Sequence, residues 1–241
     1  KLKGLTNEEF EKLKFITSKI WKISYDFNHQ TTPKSDLLTH FYQRRLINEH
    51  FPNIKSILEI GPGSGYLSLL LAMDGKQVFA TDITQSLYVW QNFLYNQFEL
   101  LTELVIDDEI QNLDQKETDI IHVPWWKFLK FEKYVTQVDL ITINHAICEM
   151  DIRSIKYILS LSKKIGYPKI FMEGLGSIAT SIKNTSRIRN IFRVYGYKLA
   201  YNNDDIYVYE YDEKVKEIGF YDILRFITYL PFLRNLFTRN K

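Results

Sequence analysis

The sequence predicts an α/β domain built on an open, mostly parallel sheet, preceded by helices and closed by an antiparallel hairpin. Three observations lead there. From Ser56 onward, short apolar runs alternate with longer stretches of helical spacing, which is the pattern of a parallel sheet wound with helices. The first of those runs enters closely spaced glycines that open a helix. Near the end, the runs 197–201 and 206–211 flank Asn-Asn-Asp-Asp, a turn-forming cluster that predicts a hairpin.

Taken in order, residues 1–50 are expected to form a helical lid. Phe10, Leu13, Ile16, Ile20 and Trp21 make one helical stripe, and Leu37, Leu38, Phe41 and Leu46 another. Between them lies Gln-Thr-Thr-Pro-Lys-Ser-Asp, ending at Asp36, so Ser35 or Asp36 should start the second helix. The core is expected over 51–212, with strands at 56–60, 77–82, 118–123, 138–144 and 168–173 and helices at 65–74, 84–100, 151–164 and 177–195. The acidic connection 103–117 is assigned to no element. Residues 213–241 form an apolar, basic tail.

A chain of 241 residues suits one such domain with a modest appendage. Its 45% hydrophobic and 25% charged content is that of a globular protein, and a net charge of +2 gives no broad field to draw it onto nucleic acid. The single cysteine, Cys148, cannot form an internal disulfide, so the expected compartment is a reducing cytoplasm and the expected role of Cys148 is a small buried core residue. No run is long and apolar enough to span a bilayer. Because the chain begins at Lys1 and not at Met, it is expected to be a portion of something longer.

The glycine-rich turn carries the chemistry. Ile57-Leu58-Glu59-Ile60-Gly61-Pro62-Gly63-Ser64-Gly65-Tyr66 runs from an apolar strand into a helix. Glycines let the backbone turn sharply and approach a ligand, and a helix start presents free N–H groups. Gly75 ends that helix, and the next strand leaves Asp82 at its carboxyl end, where ligands of open α/β sheets bind. A dinucleotide fingerprint wants a small residue where Tyr66 stands, and a P-loop wants a Lys followed by Ser or Thr. Neither fits.

Glu59-x-Gly61-x-Gly63-x-Gly65 followed by Asp82 resembles the first two motifs of class I S-adenosylmethionine-dependent methyltransferases. The resemblance covers about 56–211 and implies a Rossmann-like, seven-stranded, mostly parallel sheet ending in an antiparallel pair. It implies S-adenosylmethionine as cofactor, with S-adenosylhomocysteine as product. Glu59 would position the methionine end, Gly61, Gly63 and Gly65 with Tyr66 would pass beneath the cofactor, and Asp82 would hold the ribose hydroxyls, next to Ile83. Val123, Pro124 and Asn144 complete the cofactor set. The segments His122-Val-Pro-Trp-Trp126 and Asn144-His-Ala-Ile-Cys-Glu-Met150 are similar to those of bacterial sugar O-methyltransferases, which implies a sugar or surface glycan as acceptor.

An acceptor hydroxyl needs a general base. His145 follows the fourth strand of that fold, and an imidazole titrating near pH 6.5 suits the task. Glu149, four residues on and expected on the opening turn of a helix, would orient that imidazole or bind a hydroxyl. The competing readings are a His145 bonded to backbone and a Glu149 that serves only the helix dipole. One of Trp125 and Trp126 is expected in the core and the other against a ring of cofactor or acceptor. Glu173, beside Gly174, ranks behind His145 as an acceptor contact and is expected to face water. The five histidines at 29, 40, 50, 122 and 145 lack zinc spacing, so no metal is assigned.

Beyond Gly219 the tail is apolar, with Arg225, Arg234, Arg239 and Lys241 and no acid after Asp222. Packing on its own domain or on a second copy is expected, with peripheral contact at the inner membrane face as the alternative. No nucleic-acid partner is expected. The remaining alternatives in function are a methyltransferase for another small metabolite or for nucleic acid, and a cofactor-binding interaction module without catalysis.

Overall fold

The computed structural model describes residues 4–26, 36–100, 102–104, 119–174, 185–203 and 205–215. Eight strands form one sheet: β1 (Ser56–Ile60), β2 (Gln77–Thr81), β3 (Thr102–Leu104), β4 (Ile120–His122), β5 (Leu140–Asn144), β6 (Lys169–Glu173), β7 (Tyr197–Asn203) and β8 (Ile206–Tyr211). Their order is β3-β4-β2-β1-β5-β6-β8-β7. The first six are parallel, whereas β8 runs antiparallel to both β6 and β7. The expected α/β sheet and terminal hairpin are therefore present. The three-residue β3, from the stretch left without an element, adds an eighth strand at the edge to the seven expected.

Seven helices accompany the sheet among the described residues: α1 (Asn7–Asp26), α2 (Asp36–His50), α3 (Tyr66–Ala72), α4 (Gln85–Gln97), α5 (Trp125–Phe128), α6 (Ile152–Lys164) and α7 (Thr185–Val194). Strands buried on both faces read as continuous apolar runs, and alternate residues of this sheet feed two cores. Ile57, Val78, Ile120, Leu140 and Phe171 join α1 to α4 on one face. Leu58, Phe79, Ile121, Ile141 and Met172 join α6 and α7 on the other. Single-residue alternation of strand side chains accounts for this division.

The two N-terminal helices share the first of these cores through Ile16, Ile20, Ile23, Phe41 and Ile47. Three stripe residues face outward instead: Phe10, Trp21 and Leu38 are exposed. The buried stripe follows Ile16, Ile20 and Ile23, a three-to-four spacing that leaves Trp21 a quarter turn off it. At the far end of α3, Asp74 accepts from Lys12 Nζ at 2.5 Å, Arg44 Nε at 2.5 Å, Arg44 Nη2 at 2.7 Å and Asn48 Nδ2 at 2.8 Å. Burial works against its charge, yet Arg44, Lys12 and Asn48 hold the carboxyl below its ordinary range. That cluster ties α1 and α2 to the sheet domain.

Strand order reverses between β1 and β5: the chain leaves β1 toward β2 on one side and returns to place β5 on the other. Open α/β sheets bind ligands at such a reversal, beyond the carboxyl ends of the strands. Every candidate residue from Glu59 to Glu173 lies near those ends. No helix among the described residues is long and apolar enough to cross a membrane. The first part of the helix expected over 177–195, up to 184, and the tail from 216 onward lie outside the described residues.

Candidate functional site

The turn after β1 is shaped by left-handed glycines. Gly61, Gly63 and Gly65 have φ of 72°, 55° and 80°, values that a residue with a Cβ avoids. At Gly61 a Cβ would also stand 2.6 Å from the Cβ of Ala146, so the β1 turn and the segment after β5 meet backbone to side chain at the reversal point. Replacing Gly61 with alanine is expected to destabilise the protein by about 2–4 kcal/mol, combining left-handed strain with overpacking. Urea unfolding of the two proteins checks this, and at Gly63, where no atom lies within 4 Å of a Cβ, alanine should cost distinctly less.

Asp82, one residue beyond β2, is buried and fastened to this turn. Its Oδ2 accepts from Gly63 N at 3.3 Å and from Gln91 Nε2 at 3.1 Å, and its Oδ1 accepts from Thr84 N at 2.8 Å. Gln91 donates from the same amide to Gly63 O at 2.7 Å, and Trp90 Nε1 donates to Ser64 O at 3.1 Å. Thus α4 braces the glycine turn from the side. A carboxylate offers about four lone-pair directions, and these three bonds leave room for a further donor. Ile83 beside it is 83% exposed, an apolar surface next to an anchored carboxylate.

Glu59 lies beneath the turn, buried, and accepts from Ser68 Oγ of α3. Burial pushes its pKa up to about 7, with the Ser68 bond opposing the shift and Asp82 adding to it. A raised carboxyl pKa stabilises the fold fully below the unfolded value near 4.5, and that contribution disappears as pH climbs through about 7. About 3 kcal/mol is at stake for a shift of this size. Stability is therefore expected to fall between pH 4.5 and 7 in the native protein and to fall less in Glu59→Gln, as urea titrations across that range would record.

Buried polar atoms without a protein partner include Ser64 Oγ in the turn, Gln91 Oε1 of the α4 residue that bonds Gly63 O, and His122 Nε2 and Asn144 Nδ2 at the ends of β4 and β5. Buried polar groups are ordinarily hydrogen-bonded, so orphaned atoms in the turn and at the strand ends fit a polar ligand. His122, at the end of β4, accepts at Nδ1 from Asn92 Nδ2 at 2.8 Å and stacks on Tyr88 with ring centroids 3.9 Å apart. Desolvation pushes its pKa down to about 3. The ring is neutral, and Nε2–H is the donor it has left.

Val123 and Pro124 follow His122 and are buried, with Val123 N donating to Ala80 O at 2.7 Å. Tyr66 is buried at the start of α3. Trp125 and Trp126 are both 52% exposed and meet edge to face at 6.0 Å. The expectation of one core indole is thus corrected. After Pro124 the single turn of α5 directs Lys127 and Phe128 inward and leaves both indoles outside.

His145 follows β5 with a left-handed φ of 56°, a costly conformation for a residue with a side chain and one that concentrates at functional sites. Its N–H donates to Glu173 O at 2.8 Å. Its ring lies over Gly174, where a Cβ would be 2.3 Å from Nδ1. The buried Cys148 donates from Sγ to His145 O at 2.7 Å, as a small core thiol should. Glu149 is corrected: it sits in a turn before α6, whose N-cap is Asp151, and it is exposed. Among the described residues no hydrogen bond or ion pair joins it to His145.

Glu173 is corrected in the other direction. It is buried and does not face water; it accepts from Gln43 Nε2 of α2, and its own N–H donates to Asn144 Oδ1 at 3.1 Å. Gln43 and His40, whose Nδ1 is 2.8 Å from Gln43 Oε1, were missed by sequence reasoning. Gln43 is the one polar residue buried among Leu37, Phe41, Leu46 and Ile47 of α2, and no spacing along the chain marks it. Among the described residues no group of three His, Cys, Asp or Glu could hold a metal ion.

Fold and reversal-point cradle together define the Rossmann-like α/β fold of class I S-adenosylmethionine-dependent methyltransferases. No family model and no curated protein matches the chain. Among solved structures it is similar to magnesium protoporphyrin IX methyltransferase of Synechocystis PCC 6803 with bound S-adenosylmethionine, at 11% identity and a TM-score of 0.53 over 87% of this chain and 99% of that one. The same enzyme with bound S-adenosylhomocysteine gives 11% and 0.51 over 85% and 94%. The methyltransferase domain of bacterial CtHen1-C gives 14% and 0.50 over 73% and 98%. At such identities the likeness is one of fold.

Proposed function

We propose that this chain is an S-adenosylmethionine-dependent O-methyltransferase acting on a hydroxyl of a sugar or surface glycan. The observation that carries the cofactor assignment is the cradle: three left-handed glycines, a carboxylate fastened to them at the next strand end, and an orphaned polar atom, Ser64 Oγ, within the same turn. When bound, the cofactor supplies an electrophilic methyl group on a positively charged sulfur.

The chain's own residues supply the rest. Asp82 accepts from a ribose hydroxyl through the lone-pair direction it has left, and exposed Ile83 with Val123 and Pro124 forms the apolar side against the adenine. Glu59 lies toward the methionine end, above Tyr66. Asn144 Nδ2 and His122 Nε2–H offer the remaining donors. His145, beyond β5, stands on the acceptor side. With that methyl group delivered to an acceptor oxygen, His145 would take the hydroxyl proton on its imidazole and pass it to solvent. The sugar assignment rests on the Asn144-to-Met150 segment and on the absence of an amine-modifying motif at that strand end.

Calorimetry with S-adenosylmethionine, S-adenosylhomocysteine and a nicotinamide dinucleotide tests the cofactor. Tight binding of the first two is expected, and tight binding of the dinucleotide alone would overturn the reading. Incubation with methyl-labelled cofactor and a glycan panel should give methyl ethers; labelled amines or carboxyl esters in their place would refute the sugar hydroxyl.

A further inference from the structure

Helices α6 and α7 pack on the same face of the sheet and carry charge of one sign. The sequence of α6 has four basic residues and that of α7 three, with no acid in either. On the other face, α1 and α2 each hold as many acidic as basic residues, and α4 holds neither. The whole chain carries only +2, so everything outside α6 and α7 sums to a negative charge. The basic surplus is local.

Burial of the apolar side fixes where that charge points. α6 buries Ile155, Ile158, Leu159 and Leu161, which leaves Arg153, Lys156, Lys163 and Lys164 at helical spacing along the outward side. α7 buries Ile188 and Phe192 and exposes Arg187 and Arg189. Because α6 leads from β5 to β6 and α7 from β6 to β7, the two helices lie side by side, and Lys163 Nζ stands 5.2 Å from the Tyr195 ring just past α7. Two carboxylates offset part of the charge: Glu132 Oε1 lies 2.6 Å from Lys164 Nζ, and exposed Asp151 lies 3.8 Å from Arg153 Nε. Among the described residues no carboxylate pairs with Lys156 or Arg187.

The chain that follows points to what covers this face. β8 ends at Tyr211, whose ring centroid lies 4.0 Å from that of Tyr167 just past α6, so the chain leaves the sheet beside the basic end of α6. Beyond Gly219 the sequence is apolar, with Arg225, Arg234, Arg239 and Lys241 and no acid after Asp222. Basic side chains attract lipid phosphates and apolar ones enter the acyl boundary beneath them, whereas nucleic acid offers phosphates without that apolar layer.

We propose that the α6–α7 face docks on an anionic lipid bilayer, with the chain beyond Gly219 supplying the apolar part of the contact. Headgroup phosphates pair with Arg153, Lys156, Arg187 and Arg189. The inference is independent of the methyl-transfer reading and of its acceptor.

The full chain is co-sedimented with phosphatidylcholine vesicles, with and without phosphatidylglycerol, at low and at high salt. Binding is expected to the mixed vesicles and should fall as salt screens the charges. Each basic residue near such a surface contributes about fivefold in affinity, so Lys156→Gln and Arg187→Gln together should weaken binding by about 25-fold. Both side chains are exposed, and the charge-keeping pair Lys156→Arg and Arg187→Lys should bind as the native protein does. Lys14→Gln and Lys22→Gln remove the same charge from exposed positions of α1 on the other face and should change binding little. Absence of binding to the mixed vesicles, equal binding to phosphatidylcholine alone, or equal losses in the α6–α7 pair and in either of the other two pairs would overturn the proposal. So would a nucleic-acid duplex that displaces the protein from the vesicles at equal phosphate concentration and is itself lost from the Lys156→Gln, Arg187→Gln protein, since the face would then be a nucleic-acid surface.

Discussion

Replacing His145 with alanine is expected to lower kcat by about 10²–10⁴-fold, the range over which a positioned general base contributes, while calorimetry finds cofactor affinity nearly unchanged. The separation follows from geometry. His145 stands past β5 with its ring over Gly174, whereas the proposed cofactor contacts lie at the ends of β1, β2 and β4. The substitution should also relax a strained residue, since alanine at φ of 56° remains costly but no longer has a ring to place. An unchanged kcat, measured by label transfer at saturating acceptor, would show that His145 only shapes the loop.

Asp82→Ala is expected to weaken S-adenosylmethionine binding by about 100-fold or more. One ribose hydroxyl on the lone-pair direction that Asp82 has left, a bond to a charged group, is worth about 1.5–3 kcal/mol, and about 3 kcal/mol already corresponds to that factor. A second contribution acts through the protein itself. Asp82 also holds Gly63 N, Thr84 N and the Gln91 amide, so its loss frees the turn that must be ordered for binding. Calorimetric titration measures the affinity, and a thermal melt of the free protein should fall only modestly. Affinity within a few-fold of the native protein would remove Asp82 from the ribose site.

Charge complementarity links Glu59 to the same site. Its pKa is raised to about 7 by burial, and a positively charged ligand nearby would favour the ionised form. The residue is thus held at a point where a cationic cofactor end changes its protonation, and a neutral ligand does not.

How much of this was legible depended on how local each feature is. The strand, the glycine turn and the acidic strand end occupy 56–82, and their meaning comes from backbone conformation, which neighbouring residues set. The switch from helical to strand periodicity likewise marked α1 and α2 apart from the sheet. Errors arose where burial decided the outcome. Glu149 looked like a helix-start carboxylate, but Asp151 caps α6 because its side chain reaches Arg153 N. The indoles of Trp125 and Trp126 suggested a core by their size, yet a one-turn helix after Pro124 leaves both outside.

By itself the sequence determined the α/β class, the terminal hairpin and the position of the left-handed glycine turn beside Asp82, because glycine spacing, apolar periodicity and turn residues act within a few positions of one another. Only the tertiary structure decided that Glu173 is buried, that Gln43 reaches it across the chain, and that His40 lies 2.8 Å from the same Gln43 amide. Those properties arise when α2 folds over the ends of β5 and β6, and a desolvated hydrogen bond between distant residues leaves no periodic trace along the chain.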